Sequence, residues 1–243
     1  MTKQFFNQIL KLQDFTVKDF LSINNANILV IGAGGLAHPL LTSLLGHGIK
    51  NICIADDDIV EESNLHRQFL FDVTDIGTKK VKALEHKLSQ KYPDLNIQTL
   101  NKFLEEKDIY ALVGNFDLVI DCSDNFMTRY NVNEICYELK VPLFMALANG
   151  YLGHAIFFKN NISGPCYECI FPRKLNVNED SCDETGIVPA VLGYVSSLIA
   201  ILVIKFICNE ELNSSILYRI DAKKLDLKTT QFDKDPLCIC CKD

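Results

Sequence analysis

The chain lacks any long block of like charge. Its formal net charge of −7 is spread over 243 residues, whereas a protein whose main partner is nucleic acid carries a basic face. Nucleic acid is therefore not expected as a partner. No charged segment followed by an apolar stretch opens the sequence, so no signal peptide is read and the expected location is cytoplasmic. Repeats and low-complexity linkers are also missing, which favours one continuous domain over residues 1–243, long enough to bury a substantial core. A single run tests the membrane question. Residues 187–204 carry no charge and just reach the length of a transmembrane helix. Pro189, Gly193, Ser196 and Ser197 interrupt the run, and Asp183, Glu184 and Lys205 lie close by. A helix buried between other elements, or in a subunit interface, is equally apolar all round. No membrane span is expected.

What is present begins with a glycine-rich turn, Gly32-Ala33-Gly34-Gly35-Leu36-Ala37, directly after the strand-like run Asn27-Ile28-Leu29-Val30-Ile31. A second apolar run, Asn51-Ile52-Cys53-Ile54-Ala55, ends in Asp56-Asp57-Asp58. Glycines let a backbone approach a phosphate, a helix N-terminus favours negative charge, and an acid at the tip of the next strand can hold a ribose hydroxyl. A bound nucleotide is expected, of a kind this turn alone leaves open. Strand-like runs at 27–32, 51–56, 96–100, 117–121 and 142–146 alternate with helical patterns at 36–45, 79–91, 107–113 and 128–140. The expected fold class is α/β: a Rossmann-like, mostly parallel sheet with helices on both faces. A short helix is expected near 15–21. After Asn149 the pattern changes to a strand at 153–159, a loop at 160–182, the apolar helix, and late antiparallel strands at 216–221 and 225–227. The nucleotide-binding half thus covers about 24–150, and about 151–243 forms the second half.

Ten cysteines without a secretion signal indicate a reducing compartment, where cysteines bind metal or react more often than they bridge. Cys166 with Cys169, and Cys238 with Cys241, make two C-x-x-C pairs able to supply four thiolates in a tetrahedron, the arrangement of a closed structural zinc site. Such a site would staple the tail onto the body. Cys240 is the spare thiol of the tail. Cys53, Cys122, Cys136 and Cys208 sit in apolar elements and are expected in the core.

A glycine fingerprint with Ala37 in its third position still suits a dinucleotide enzyme, so a nicotinamide dehydrogenase stays open at this point. Three further features favour different chemistry. Asn64-Leu65-His66-Arg67-Gln68 brings a fixed positive charge after the acidic cluster. Gly77-Thr78-Lys79-Lys80 opens the next helix with lysines in reach of a triphosphate. Asp121-Cys122-Ser123-Asp124-Asn125 ends a strand with acids on the sheet edge where ligands bind. Hydride transfer has no need of that set, whereas magnesium-assisted attack on an α-phosphate does, because charge must be neutralised on three phosphates.

Together these motifs and the cysteine pairs, in this order, resemble the ThiF/MoeB family, bacterial relatives of ubiquitin-activating enzymes. The resemblance runs from about residue 5 to residue 241. It implies ATP-dependent adenylation of the C-terminal glycine of a small ubiquitin-like sulfur-carrier protein ending in Gly-Gly, with ATP, Mg2+ and Zn2+ as cofactors and a homodimer as the assembly. Carried over by position, Gly32, Gly34 and Gly35 line the nucleotide, Asp56 holds the ribose with Asp58 beside it, and Asn64, Arg67 and Lys80 contact phosphates. Asp124 holds magnesium, and Cys166, Cys169, Cys238 and Cys241 hold zinc. Cys182 matches a cysteine that links covalently to the carrier in ThiF-like members; the acids Asp180, Asp183 and Glu184 around it oppose thiolate formation, so a thiol without chemistry is the alternative. Within the family the Asp-Asp-Asp run, the length and the absence of a rhodanese-like extension lean toward a thiamin-type (ThiS-like) carrier, with a molybdopterin-type (MoaD) carrier as the alternative. Two departures stand out. Gln4-Phe5-Phe6-Asn7-Gln8 replaces an Arg-Tyr-x-Arg-Gln-like motif, so Asn7 stands for an arginine that reaches the partner subunit's ATP site. That loss keeps a non-catalytic carrier- and ATP-binding role open. Ala37-His38-Pro39 stands where a glycine and small residues are usual.

Overall fold

The first strands read as unbroken apolar runs because both of their faces are covered. The computed structural model of the chain describes residues 6, 8–160, 164–173, 186–214 and 216–242. Strands β1 (Asn27–Ile31), β2 (Asn51–Ala55), β3 (Asn96–Leu100), β4 (Leu118–Asp121), β5 (Leu143–Asn149), β6 (Leu152–Phe158), β7 (Ile216–Asp221) and β8 (Asp226–Gln231) form one eight-stranded sheet. Its order is β3-β2-β1-β4-β5-β6-β7-β8. The pairs among β1 to β5 are parallel, and β6, β7 and β8 add antiparallel. The helices are α1 (Val17–Asn25), α2 (Ala37–His47), α3 (Lys80–Lys91), α4 (Glu106–Val113), α5 (Phe126–Glu138), α6 (Tyr167–Ile170) and α7 (Pro189–Ile207).

Successive side chains of a strand point to opposite faces, and the core splits accordingly. Ile28, Val30, Ile52, Ile54 and Ile120 pack with residues of α1, α2, α3 and α7, whereas Leu29, Ile31, Cys53 and Val119 pack with α4, α5 and α6. The expected Rossmann-like sheet with helices on both faces is therefore what forms. Local signals set the boundaries. Thr16 and Asp19 form a reciprocal capping box that starts α1, and Gly48 ends α2 at φ 103°, in the left-handed region. Helix α1 consequently covers Val17–Asn25, later than the 15–21 expected, and β5 runs on to Asn149, past the expected 146, by pairing with β6.

Helix α7 is the apolar run. By length and composition it could cross a membrane, with a mean hydropathy of 2.3 and half of that window buried. Here it lies against α2, β5 and β6, with Val191, Val195, Ile199 and Val203 fully buried. Strand β8 is longer than the 225–227 expected. Its Lys228, Thr229, Thr230 and Gln231 are exposed on the sheet edge, so no apolar alternation marks it. Within the expected loop, Tyr167–Ile170 forms the short helix α6. Cys53, Cys122 and Cys136 are buried, whereas Cys208 is half-buried where α7 ends rather than within the core.

Candidate functional site

Strand order reverses between β1 and β4: the chain runs outward through β2 and β3, then returns to the other side of β1. Ligands of such sheets bind beyond the carboxyl ends of the strands at this point. A cavity of about 870 Å³ lies there. Its lining includes Gly32, Gly34, Gly35, Asp56, Asp58, Asn64, Arg67, Lys80 and Asp124. All the candidate nucleotide and phosphate residues are thus brought to one place. Cys182 and Asn7 lie outside the described residues.

The glycine turn is shaped by backbone contact. Gly32 has φ +96°, and a Cβ on it would come 2.8 Å from the Cys122 carbonyl oxygen at the end of β4. Gly34 differs, since a Cβ there would meet nothing within 4 Å. Its bareness keeps the approach from the cavity to the N-terminus of α2 open. Gly32→Ala is therefore expected to cost about 2–4 kcal/mol of stability, whereas Gly34→Ala should melt like the wild type and lose nucleotide affinity. Thermal melts paired with nucleotide titrations check both; equal losses of stability in the two variants would refute the distinction.

Asp56 closes the turn from the side. It accepts hydrogen bonds from the N–H of Ala33 at 2.7 Å and of Asp58 at 2.9 Å. Burial raises its carboxyl above the usual carboxylate range, with the Ala33 N–H pulling the other way. Lys80, the first residue of α3, is nearly buried and pairs at 2.7 Å with Asp58, whose side chain is 64% exposed. An exposed partner is easily replaced, so Lys80 can exchange Asp58 for an incoming anion. Arg67 Nη1 donates to the Ser63 carbonyl at 2.8 Å, which holds the guanidinium at the cavity wall. Asn64 is buried and accepts from Glu61 N–H, closing the turn that presents Arg67.

On the opposite wall, Asn125 caps α5 by accepting from Thr128 N–H at 2.7 Å. The preceding Asp124 is exposed on the cavity and makes no hydrogen bond among the described residues. Asp121 is buried beneath it. Its Oδ1 accepts from Ser123 N–H at 2.8 Å, and its Oδ2 has no partner among the described residues. Burial pushes Asp121 up, opposed by the Arg129 charge. Arg129 was not singled out from the sequence. It is buried, lines the cavity, and its Nη2 donates to the Ser123 carbonyl at 2.8 Å, fixing the loop that carries Asp124. The only available signal was its place one turn into the helix after the acids. Lys102 and Phe103, beyond β3, also line the cavity without any motif to mark them. Behind the turn, α7 explains its own lack of charge: Ser196 Oγ donates to the Leu36 carbonyl at 2.7 Å, and Leu192 joins the lining.

At the far end of α5 the Sγ atoms of Cys166, Cys169, Cys238 and Cys241 all lie within 4.8 Å of one another. Separations of 3.9, 3.6 and 3.3 Å between Cys166 and Cys169, Cys166 and Cys238, and Cys169 and Cys241 are too long for disulfides. They suit four thiolates around one ion at about 2.3 Å each. Asn133 donates to Cys240 Sγ at 3.3 Å, so the spare thiol is turned toward α5.

A phosphate-sized turn at a sheet switch point, opposed acids and a four-thiol cluster define a Rossmann-like nucleotide-site protein. The chain belongs to the ThiF family, which matches it over residues 6–240. It is 32% identical over 206 residues to the adenylyltransferase and sulfurtransferase UBA4 of Vanderwaltozyma polyspora, covering 84% of this chain and 47% of that protein. It is 32% identical over 243 residues to the adenylyltransferase and sulfurtransferase MOCS3 of Anopheles gambiae, covering 99% of this chain and 55% of that protein. The chain thus spans about half the length of these curated relatives. Among solved structures, Escherichia coli MccB with AMPCPP and MccA has a TM-score of 0.81 at 21% identity, over 93% of this chain and 69% of that one. PaaA has a TM-score of 0.77 at 16% identity, over 96% and 74%. Both likenesses are of fold.

Proposed function

We propose that this protein adenylates the C-terminal carboxylate of a small ubiquitin-like sulfur-carrier protein ending in Gly-Gly, using Mg·ATP. The observation that carries the reading is Asp124, an acid left without a partner on the cavity wall across from Lys80 and Arg67. The activity named for the UBA4 and MOCS3 relatives agrees with it. Gly34 and the N-terminus of α2 receive phosphates, Asp56 holds the ribose, and Arg67 and Lys80 take up charge on the phosphate chain. A carboxylate oxygen of the carrier attacks the α-phosphorus; the bond from that phosphorus to the bridging oxygen breaks, and pyrophosphate leaves. No proton need move, so positioning and charge stabilisation supply the rate. Magnesium, held by Asp124, would neutralise phosphate charge, and zinc would be held by Cys166, Cys169, Cys238 and Cys241.

Within this reading we assign a thiamin-type carrier, on the Asp56-Asp57-Asp58 run; a molybdopterin-type carrier is the competing substrate. Pyrophosphate exchange measured with each purified carrier decides between them. Exchange dependent on one carrier selects it. ATP binding without exchange on either would instead favour a non-catalytic carrier-binding role, the reading that Asn7 supports. A homodimer is also proposed: α7 leaves Tyr194 and Ile201 exposed one above the other on its outer face, at 47% and 51%. A monomeric mass in sedimentation would remove that assignment.

A further inference from the structure

His38 stands in the first turn of α2, three residues beyond Gly35, and only 1% of it is exposed. Its Nδ1 lies 2.9 Å from the main-chain nitrogen of Leu70. A main-chain N–H only donates, so Nδ1 presents its lone pair and the proton sits on Nε2. Burial lowers the ring's pKa to about 3, which keeps it neutral at any working pH. Phe71 meets the ring edge-on at 4.5 Å and 83°. Nε2 has no partner at full hydrogen-bond geometry among the described residues, while the Ala33 backbone interacts with the ring in the sense that favours its charged form and the Lys80 charge opposes it. A buried ring nitrogen left unpaired is costly. The favourable interaction at the other nitrogen gives this ring its place.

Leu70 closes the outgoing end of the loop that displays Arg67. The incoming end is a tight turn, with the N–H groups of Arg67 and Gln68 both donating to the Asn64 carbonyl at 3.0 and 2.9 Å. The N–H of Phe71 then donates to the Gln68 carbonyl at 3.0 Å. Between these bonds, the Leu70 N–H points away from its own loop and reaches across to α2, the helix that begins at the glycine turn. Among the described residues, the His38 ring supplies the side-chain hydrogen bond that ties this loop to α2.

We propose that His38 is a positioning residue for the triphosphate subsite: its Nδ1 holds the Leu70 N–H, and through it the loop that presents Arg67 beside the N-terminus of α2. The inference rests on the Mg·ATP reading of this cavity. It makes the hydrogen-bond acceptor, not the bulk of the ring, the property that matters. Asparagine is smaller than histidine but places Oδ1 close to where Nδ1 sits, whereas leucine fills more of the space and accepts nothing.

The test compares wild type, His38→Leu, His38→Asn, Arg67→Ala and the double variant Arg67→Ala/His38→Leu. Calorimetry with Mg·ATP and with AMP reads the site, and amide hydrogen exchange at Leu70 in the ligand-free protein reads the tie. His38→Leu is expected to weaken Mg·ATP binding about tenfold and speed Leu70 exchange by at least about as much, the size of one lost hydrogen bond. AMP affinity should change less than about twofold, His38→Asn should behave as wild type, and His38→Leu should have no further effect on Mg·ATP once Arg67 is alanine. Retention of Mg·ATP affinity by leucine with its loss in asparagine would overturn the proposal in favour of packing. Unchanged Leu70 exchange in His38→Leu would also overturn it. If the wild type binds no Mg·ATP, the functional reading fails, and Leu70 exchange still judges the tie.

Discussion

Asp124→Ala should reduce carrier-dependent pyrophosphate exchange by about 10²–10³-fold or more, the loss typical when one group aimed at developing charge is removed. Its melting temperature should stay within about 2 °C of wild type, because an exposed side chain without structural partners contributes little to stability. Both expectations follow from how the acids beyond β2 and β4 are engaged. Asp121 is buried and bonded to Ser123, Asp56 is bonded to Ala33 and Asp58, and Asp58 is paired with Lys80. Asn125 performs the capping that Asp124 would otherwise perform. Asp57 also keeps a free, exposed carboxylate on the β2 side, grouped with Asp56 and Asp58. Asp124 is the unengaged carboxylate on the β4 side and the one proposed to hold the cation. A variant with normal exchange would show that the cation sits elsewhere; a large fall in melting temperature would show that Asp124 is structural.

With the proposed zinc held by the four thiols, Cys241→Ser should lose one equivalent of metal and lower the melting temperature by about 10 °C or more. Structural zinc sites hold apparent free energies of about 10–16 kcal/mol, and each lost kcal/mol shifts a domain of this size by about 2–4 °C. Both thiol pairs are joined across long loops, with Cys166 to Cys238 and Cys169 to Cys241 each spanning 72 residues. Cys240→Ser supplies the control: its thiol meets Asn133, stands outside the four-sulfur group, and should leave metal content unchanged. Zinc measured by atomic absorption alongside thermal melts checks both variants. Stoichiometric zinc retained in Cys241→Ser would show that Cys240 completes the site instead.

The parallel half of the fold was legible because its signals are strong: apolar runs alternate with helical patterns, and the turn at 32–37 marks a strand-to-helix phosphate loop whichever nucleotide it takes. Candidate residues carried in motifs were legible for the same reason, since Asp56, Lys80 and Asp124 sit at strand ends or helix starts and Arg67 on the loop between β2 and α3, all brought together by the topology. Strand β8 was only partly legible because an exposed edge of Lys, Thr and Gln has no reason to alternate. Arg129 and His38 went unassigned for another reason. Each acts through a backbone group, the Ser123 carbonyl or the Leu70 N–H, and backbone groups leave no trace in side-chain patterns. Lys102 and Phe103 reach the cavity only because β3 lies beside β2.

The four-thiol cluster also has a clock. Each sulfur on α6 and its flank meets a partner made 72 residues later. At about 5–20 residues per second of synthesis, that interval lasts about 4–14 s. Throughout it Cys166 and Cys169 stand as an open pair of thiols on a nascent chain, able to hold an ion with two of its four bonds. The four thiols can come together only once β7, β8 and the segment after them exist, which makes this cluster one of the last parts of the fold to close.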